Sequence, residues 1–344
     1  MCYTLIWVAP QKFIIAFVPL REVEGRKLFL LSQNKNKEDN MKTQSFNEIE
    51  NLTKEYSMIP ICKEIYADVI TPIQLLRKME AFDKNFFLLE SVEGGEKWAR
   101  YSFLGYEPVL HITCKNGKVT QKSGEIEHTV TVDPMDALRQ LLHKYKSPKI
   151  EGMPTFTGGF VGYFGYEMIG YAEPKLNIKD SEFDDYNLML FDKVIVYDHL
   201  KQKIMVIANM KSKDGIQGYN TALLEIEKMI ALINDQRKLP VLEADKDVKF
   251  KCNVTKEEYC RMIEKTKHYI KEGDIFQGVI SRRFVADYKS SLINAYRVLR
   301  TTNPSPYMYF IQSDDLQIAG ASPETMVKLV DGKLTTFPVA GTRP

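Results

Sequence analysis

The sequence predicts an α+β fold built on antiparallel sheets. Three observations carry this. Short apolar runs come in pairs joined by tight turns, amphipathic helices with readable caps stand between them, and no P-loop or GxGxxG follows a strand. Hairpins with helices between them favour an antiparallel sandwich over a βαβ fold, and the missing glycine fingerprints leave nucleotide binding without support.

Thr71-Pro72 caps a helix through Leu75, Leu76 and Met79, with proline at its first position. Phe86 to Leu89 reads as a short buried strand, and Val109 to Thr120 as a hairpin turning at Asn116-Gly117. Asp133-Pro134 opens a helix through Leu138, Leu141 and Leu142. Lys193 to Ala208 alternates through Val194, Val196, Ile204 and Val206 as a second hairpin, and Leu223 to Ile233 is an amphipathic helix. Thr255-x-x-Glu258 is a capping box. The helix behind it puts Tyr259, Met262, Ile263, Thr266, Tyr269 and Ile270 on one face and ends at Glu272-Gly273-Asp274. Strand-like runs follow at Ile275–Tyr288, Tyr307–Gln312, Leu316–Ala319 and Met326–Val330, and Asp331-Gly332 turns the last into Lys333–Phe337.

At 344 residues and 44% hydrophobic content the chain can bury a substantial core as one large domain or two medium ones. With 47 basic and 45 acidic residues, a net charge of +2 gives no reason to expect nucleic acid or a membrane surface as partner. The five cysteines form no CxxC pair, which points to reduced thiols and a cytoplasmic protein, and the five histidines show no metal-binding spacing. Leu5 to Leu20 is apolar but broken by Gln11 and Lys12, without a basic flank before it, and a polar run from Ser32 to Asn40 follows. Residues 1–40 read as an appended or mis-assigned start and not as a targeting signal, a weak membrane anchor being the minor alternative. Residues 41–235 then form a first region, 236–251 a charged linker containing Pro240, and 252–344 a second region.

Several polar constellations stand out, each with an ordinary structural explanation beside it. Gly158 to Glu167, GGFVGYFGYE, alternates glycines and aromatics, as where another backbone approaches a strand closely; a core sheet crossing is favoured over a ligand loop. Leu88-Leu89-Glu90-Ser91 ends a strand in two polar groups, which a simple turn would also explain. Asn303-Pro304-Ser305-Pro306-Tyr307-Met308 fixes φ twice before a strand, forming a rigid bend that can present backbone groups to a ligand or be an ordinary loop. Gln277 and Ser281 share a face of the expected strand at Ile275–Tyr288, and a buried Gln277 would need partners. Gly341 and Thr342 offer anion-friendly groups near the last residue, or a plain turn.

Together, LLES (88–91), GGFVGYFGYE (158–167), GDIFQ (273–277) with SRRF (281–284), NPSPYM (303–308), the SPE of GASPE (320–324) and PVAGTRP (338–344) resemble anthranilate synthase component I over nearly the whole chain from Met41. The resemblance implies a two-layered antiparallel β-sandwich flanked by helices. It further implies conversion of chorismate to anthranilate and pyruvate with Mg²⁺, ammonia from a glutamine amidotransferase subunit (component II), and feedback inhibition by L-tryptophan. On the matching positions, Ser91, Pro306, Tyr307 and Met308 correspond to the inhibitor site, and Gly341 and Thr342 to the chorismate site. Residues 41–235 correspond to the family's N-terminal region and 252–344 to the start of its chorismate-binding region.

Gln277 and Ala340 line the expected active site and separate this chain from relatives. Isochorismate-forming relatives carry a lysine base at the position of Gln277, and aminodeoxychorismate synthases often carry a lysine nucleophile at that of Ala340; neither side chain here can do that work. External ammonia remains as the nucleophile. Gly278 departs from the bulkier aliphatic residue usual beside Gln277. The resemblance also implies that the Mg²⁺ glutamates, the catalytic His and later chorismate contacts lie beyond Pro344, so the fold is expected to be incomplete there and the chain inactive alone. Aminodeoxychorismate synthase component I, or a non-catalytic fragment that binds tryptophan or the amidotransferase, are the alternatives.

Overall fold

The computed structural model describes residues 43–91, 100–178, 181–241, 248–330 and 332–337, together with the backbone of residues 4–7 and 13–19. These form a mixed α/β protein whose strands pair antiparallel throughout. Nine strands make one sheet, in the order β18-β17-β1-β2-β9-β10-β6-β7-β8. Their ranges are β1 Thr4–Trp7, β2 Phe13–Pro19, β6 Leu110–Lys115, β7 Lys118–Ser123, β8 Ile126–Thr131, β9 Gly159–Gly165, β10 Tyr186–Phe191, β17 Thr325–Val330 and β18 Lys333–Thr335. Seven more make a second sheet, β16-β15-β4-β5-β11-β12-β3. These are β3 Met58–Tyr66, β4 Asn85–Glu90, β5 Tyr101–Tyr106, β11 Lys193–Asp198, β12 Lys203–Lys211, β15 Tyr307–Ser313 and β16 Leu316–Ser322. A two-stranded ribbon joins β13 Lys251–Cys252 to β14 Phe284–Val285. The helices are α1 Phe46–Ile49, α2 Pro72–Glu80, α3 Pro134–Lys144, α4 Ile169–Ala172, α5 Gly215–Asn234, α6 Lys256–Glu272 and α7 Ile293–Thr302.

Helix starts follow their local chemistry. Thr71 accepts from the Gln74 N–H in a capping box, Asp133 accepts from the N–H groups of Met135 and Asp136, and Thr255 and Glu258 form the expected reciprocal pair. The β6–β7 turn has Asn116 at φ 50° and Gly117 at φ 74°, the left-handed pair a two-residue hairpin requires. In β9, a side chain at Gly162 would come within 2.0 Å of the Asn187 carbonyl oxygen, so β10 can approach only because the position is glycine.

Three apolar clusters form the core. One lies between the seven-stranded sheet and helices α2, α5 and α7, and includes Leu88, Ile195, Ile204, Val206, Leu76, Ile226 and Tyr296. A second takes side chains from both large sheets: Phe87, Leu89, Val194, Val196 and Tyr309 from one, Val161, Tyr163 and Met189 from the other. The third joins the outer face of the nine-stranded sheet to Ala137, Leu138 and Leu141 of α3.

Two expectations are corrected. Ile275–Tyr288 is not a continuous strand: only Phe284 and Val285 pair, with β13, and residues 275–283 lie without a strand neighbour among the described residues. An extended run needs a ladder to become a sheet strand. The β11–β12 hairpin has no single apolar face. Val194 and Val196 point between the sheets while Ile204 and Val206 point at the helices, because both faces of this hairpin are buried. The backbones of β1 and β2 pair with each other, and through them with β17 and β9. The apolar runs at 4–7 and 13–19 satisfy their backbone groups in that sheet, as the edge of β9 invites.

Candidate functional site

The LLES and NPSPYM segments meet at one end of the seven-stranded sheet. In the β4–β15 ladder Met308 pairs with Glu90 and Tyr309 with Leu89, so Ser91 follows directly where Tyr307 begins its strand. Pro304 and Pro306 lack N–H groups and fix φ, which starts β15 abruptly after α7. Alternation then sorts the side chains. Phe87 and Leu89 face the inter-sheet cluster, Tyr307 packs against that same cluster, and Ser91 follows in their phase. Met308 is 1% exposed and belongs to the helix-side cluster, so it meets the Ser91 end through its backbone alone. The Tyr307 hydroxyl bonds the Thr325 hydroxyl of β17, tying one large sheet to the other. Burial pushes the Tyr307 phenol up, against the Thr325 hydrogen bond.

Behind Ser91, on the helix side, lies a buried polar cluster. The Glu90 carboxylate accepts from Tyr296 Oη at 2.7 Å and from Arg300 Nη2 at 2.9 Å, and Arg300 Nε donates to it as well. Ser102 Oγ lies 3.4 Å from Glu90 Oε2 and 2.7 Å from His199 Nε2. Alongside, Arg100 grips Asp198 through Nε at 3.1 Å and Nη2 at 2.7 Å, and the N–H groups of Leu200 and Lys201 donate to Asp198 Oδ1. Burial works against the Asp198 charge, but Arg100 and these N–H groups hold its carboxyl below its ordinary value. Burial lowers His199, favouring the neutral ring. Burial also opposes the Arg300 charge, yet its bonds to Glu90 raise its pKa. With its carboxylates saturated by guanidinium groups, the cluster can position a strand end but offers no free base.

A second constellation resembles a nucleophilic triad and is not one. Ser313 Oγ lies 3.3 Å from His111 Nε2, and Asp314 Oδ2 lies 3.9 Å from Nδ1. His111 Nε2 is also 2.8 Å from Asn187 Oδ1, whose amide is oriented by Nδ2 donating to Asp184. A carbonyl oxygen only accepts, so Nε2 carries the proton and cannot take one from Ser313.

The remaining expected residues separate into two groups. Gln277 is described but exposed, so it needs no buried partners, and it sits in the unpaired stretch and not on a strand. A Cβ at the neighbouring Gly278 would fall 2.5 Å from the Thr266 methyl, so this stretch lies close against α6 at that point. Ala340, Gly341 and Thr342 lie outside the described residues. Among the described residues no group of three or more His, Cys, Asp or Glu side chains could hold a metal ion. No helix among them is long and apolar enough to cross a membrane.

The reading of the sequence passed over α7, which supplies both Tyr296 and Arg300. Ile293, Tyr296 and Arg300 at helical spacing, closing on Asn303-Pro304, are the signal that marks it.

Comparison with known proteins agrees with these motifs. Anthranilate synthase component 1 of Acetivibrio thermocellus is 38% identical over 310 residues, covering 87% of this chain and 63% of that protein. The Aquifex aeolicus (strain VF5) protein of the same name is 36% identical over 316 residues, covering 87% of this chain and 62% of its own length. The crystal structure of anthranilate synthase component I from Streptococcus pneumoniae TIGR4 matches with a TM-score of 0.60 at 29% identity, over 79% of this chain and 60% of that one. The chain thus spans about three fifths of the length of the relatives it matches. Residues 84–344 match the chorismate binding enzyme family, and the chain belongs to that family.

Proposed function

We propose that this chain carries the greater part of an anthranilate synthase component I. The protein would convert chorismate and ammonia to anthranilate and pyruvate in tryptophan biosynthesis, with a glutamine amidotransferase subunit supplying the ammonia and L-tryptophan as feedback inhibitor. The observation that carries this reading is 38% and 36% identity, over most of this chain, to proteins named anthranilate synthase component 1. In the reaction ammonia adds to the chorismate ring, hydroxide leaves, and the enolpyruvyl group departs as pyruvate while the ring becomes aromatic. Gln277 has no titratable proton and Ala340 no nucleophile, which supports external ammonia over water or a lysine amine. Gly341 and Thr342 would hold chorismate. Mg²⁺ would be the cation for the two chorismate carboxylates, with ligands outside the described residues.

The inter-sheet face at Ser91 and Tyr307 is our candidate for the inhibitor site, with Pro306 and the Met308 backbone completing it. Support comes from the Glu90–Met308 pairing, which joins two segments far apart in sequence. The inter-sheet cluster likewise supports a two-layered sandwich. We keep the division into residues 41–235, a linker at 236–251 and a chorismate-binding region from 252, along with a cytoplasmic location, as parts of the same proposal.

The test is product identification. The native protein carrying this sequence, given chorismate, Mg²⁺ and ammonium, should form anthranilate and pyruvate, followed by anthranilate fluorescence. Isochorismate, or an aminodeoxychorismate that a lyase turns into para-aminobenzoate, would overturn the assignment.

A further inference from the structure

We propose that the groove between the start of α2 and the outer face of α7 binds a small organic anion with an apolar body. The groove encloses about 820 Å³, within the range of small-molecule sites, and lies on the helix side of the seven-stranded sheet, away from the Ser91 face. Ile70, Ile73 and Val298 give it an apolar wall.

Its charges are unbalanced. Arg77, Arg297, Arg300 and His199 line it against a single carboxylate, Asp198. Asp198 is already held by Arg100, and Arg300 by Glu90. Burial keeps His199 neutral. Arg77 and Arg297 remain. Arg77 Nη2 donates to the Pro240 carbonyl, while its Nε is shielded from water and has no acceptor. Arg297 Nη1 reaches only Asn294 Oδ1, at 3.2 Å. Neither guanidinium meets a carboxylate among the described residues. The guanidinium fork is the natural partner of a carboxylate or phosphate oxygen pair. An anion entering here pairs with Arg297 beside Arg77, while its hydrocarbon part covers the apolar wall. The site is independent of the reaction proposed above and needs no residue outside the described ones.

The test uses the full 344-residue chain in a buffer free of phosphate and carboxylate. Isovalerate is titrated by ligand-observed NMR and calorimetry, with isoamyl alcohol as the uncharged control of the same body. Saturable binding at one site is expected, weakened about tenfold or more for the alcohol and for Arg297→Gln. Arg297 is exposed, so its variant keeps the fold, which circular dichroism checks; Arg77→Gln is the second variant. Absence of saturation in the millimolar range, equal binding of the alcohol, or unchanged isovalerate affinity in both arginine variants overturns the proposal.

Discussion

Arg300 on α7 holds Glu90 at the end of β4 in a bidentate pair through Nε and Nη2, with Nη2 2.9 Å from Oε2. The pair joins the strand that leads into Ser91 to the helix that leads into Pro306, and so sets the angle at which the two segments meet. Glu90 is 6% exposed, and removing its cation leaves a buried carboxylate with only hydroxyl donors. Arg300→Ala should therefore lower stability by about 3 kcal/mol. Urea denaturation measures this; a change within experimental error of wild type would mean that water reaches Glu90.

The close approach of β9 and β10 gives a second measurable consequence. A methyl at Gly162 would meet the Asn187 carbonyl oxygen at 2.0 Å, with the Leu188 Cα at 2.9 Å, and both are β10 backbone that cannot turn aside. Gly162→Ala should cost at least about 2 kcal/mol, comparable to overpacking a core. Gly170→Ala is the control: in α4 the nearest atom to an added Cβ is 3.7 Å away, so that change should be neutral or slightly stabilising. Thermal melts of the two variants should separate clearly.

What was legible in the sequence was local. Thr71-Pro72, Asp133-Pro134, Thr255-x-x-Glu258 and Asn116-Gly117 each fix a helix start or a turn through their own side chains or φ angles, and each marks a boundary that the fold keeps. Alternation failed where both faces of a strand are buried. β10, with all of Tyr186 to Phe191 buried, shows no periodicity to read. The stretch at 275–283 failed the other way, since its composition suits a strand but pairing depends on a neighbour that the segment cannot specify. At the candidate site, the motifs pointed to Ser91 and Tyr307. Which face each occupies, and the Arg300 clamp behind them, depend on the β4–β15 register, which no single segment encodes.

In the inter-sheet cluster Tyr309 carries a buried hydroxyl that finds no hydrogen-bond partner among the described residues. An unsatisfied buried hydroxyl lowers stability, and its removal without change of shape should raise it. Tyr309→Phe should be neutral or stabilising by up to about 1 kcal/mol in denaturant melts. A clear loss of stability would reveal a partner for the hydroxyl in solution.

His199 predicts a pH dependence with a definite sign. Burial, helped by Arg300, holds its pKa below the ordinary 6.5, against Glu90 and Asp198. The unfolded chain then takes up the proton first on acidification. The stability contributed by the neutral ring is complete above about pH 6.5 and falls as pH drops through that value toward the folded pKa. His199→Asn should flatten the dependence of the urea midpoint between about pH 7 and 5. An unchanged slope in the variant would assign the dependence to another group.

The proposed inhibitor site gives a last prediction. Tyr307 packs against the inter-sheet cluster and Ser91 follows β4 in the phase of Leu89, where a hydroxyl and the backbone of a proline-framed strand start would bind the ammonium and carboxylate of an amino acid. Apolar side chains of the same cluster would cover an indole. Ser91→Arg puts a long cation into that space, opposing the ligand ammonium and filling the volume of the ring. L-Tryptophan titrated calorimetrically into the 344-residue chain should bind at one site, and Ser91→Arg should weaken it at least about tenfold, a loss of about 1.4 kcal/mol. Arg139→Ser, on the exposed face of α3, should bind as wild type does. In the native protein the same Ser91 variant should keep its turnover while losing inhibition, because an effector acting at a separate site changes activity only through its coupling to the substrate. Equal tryptophan affinity in the Ser91→Arg and unaltered chains would move the inhibitor away from this strand end.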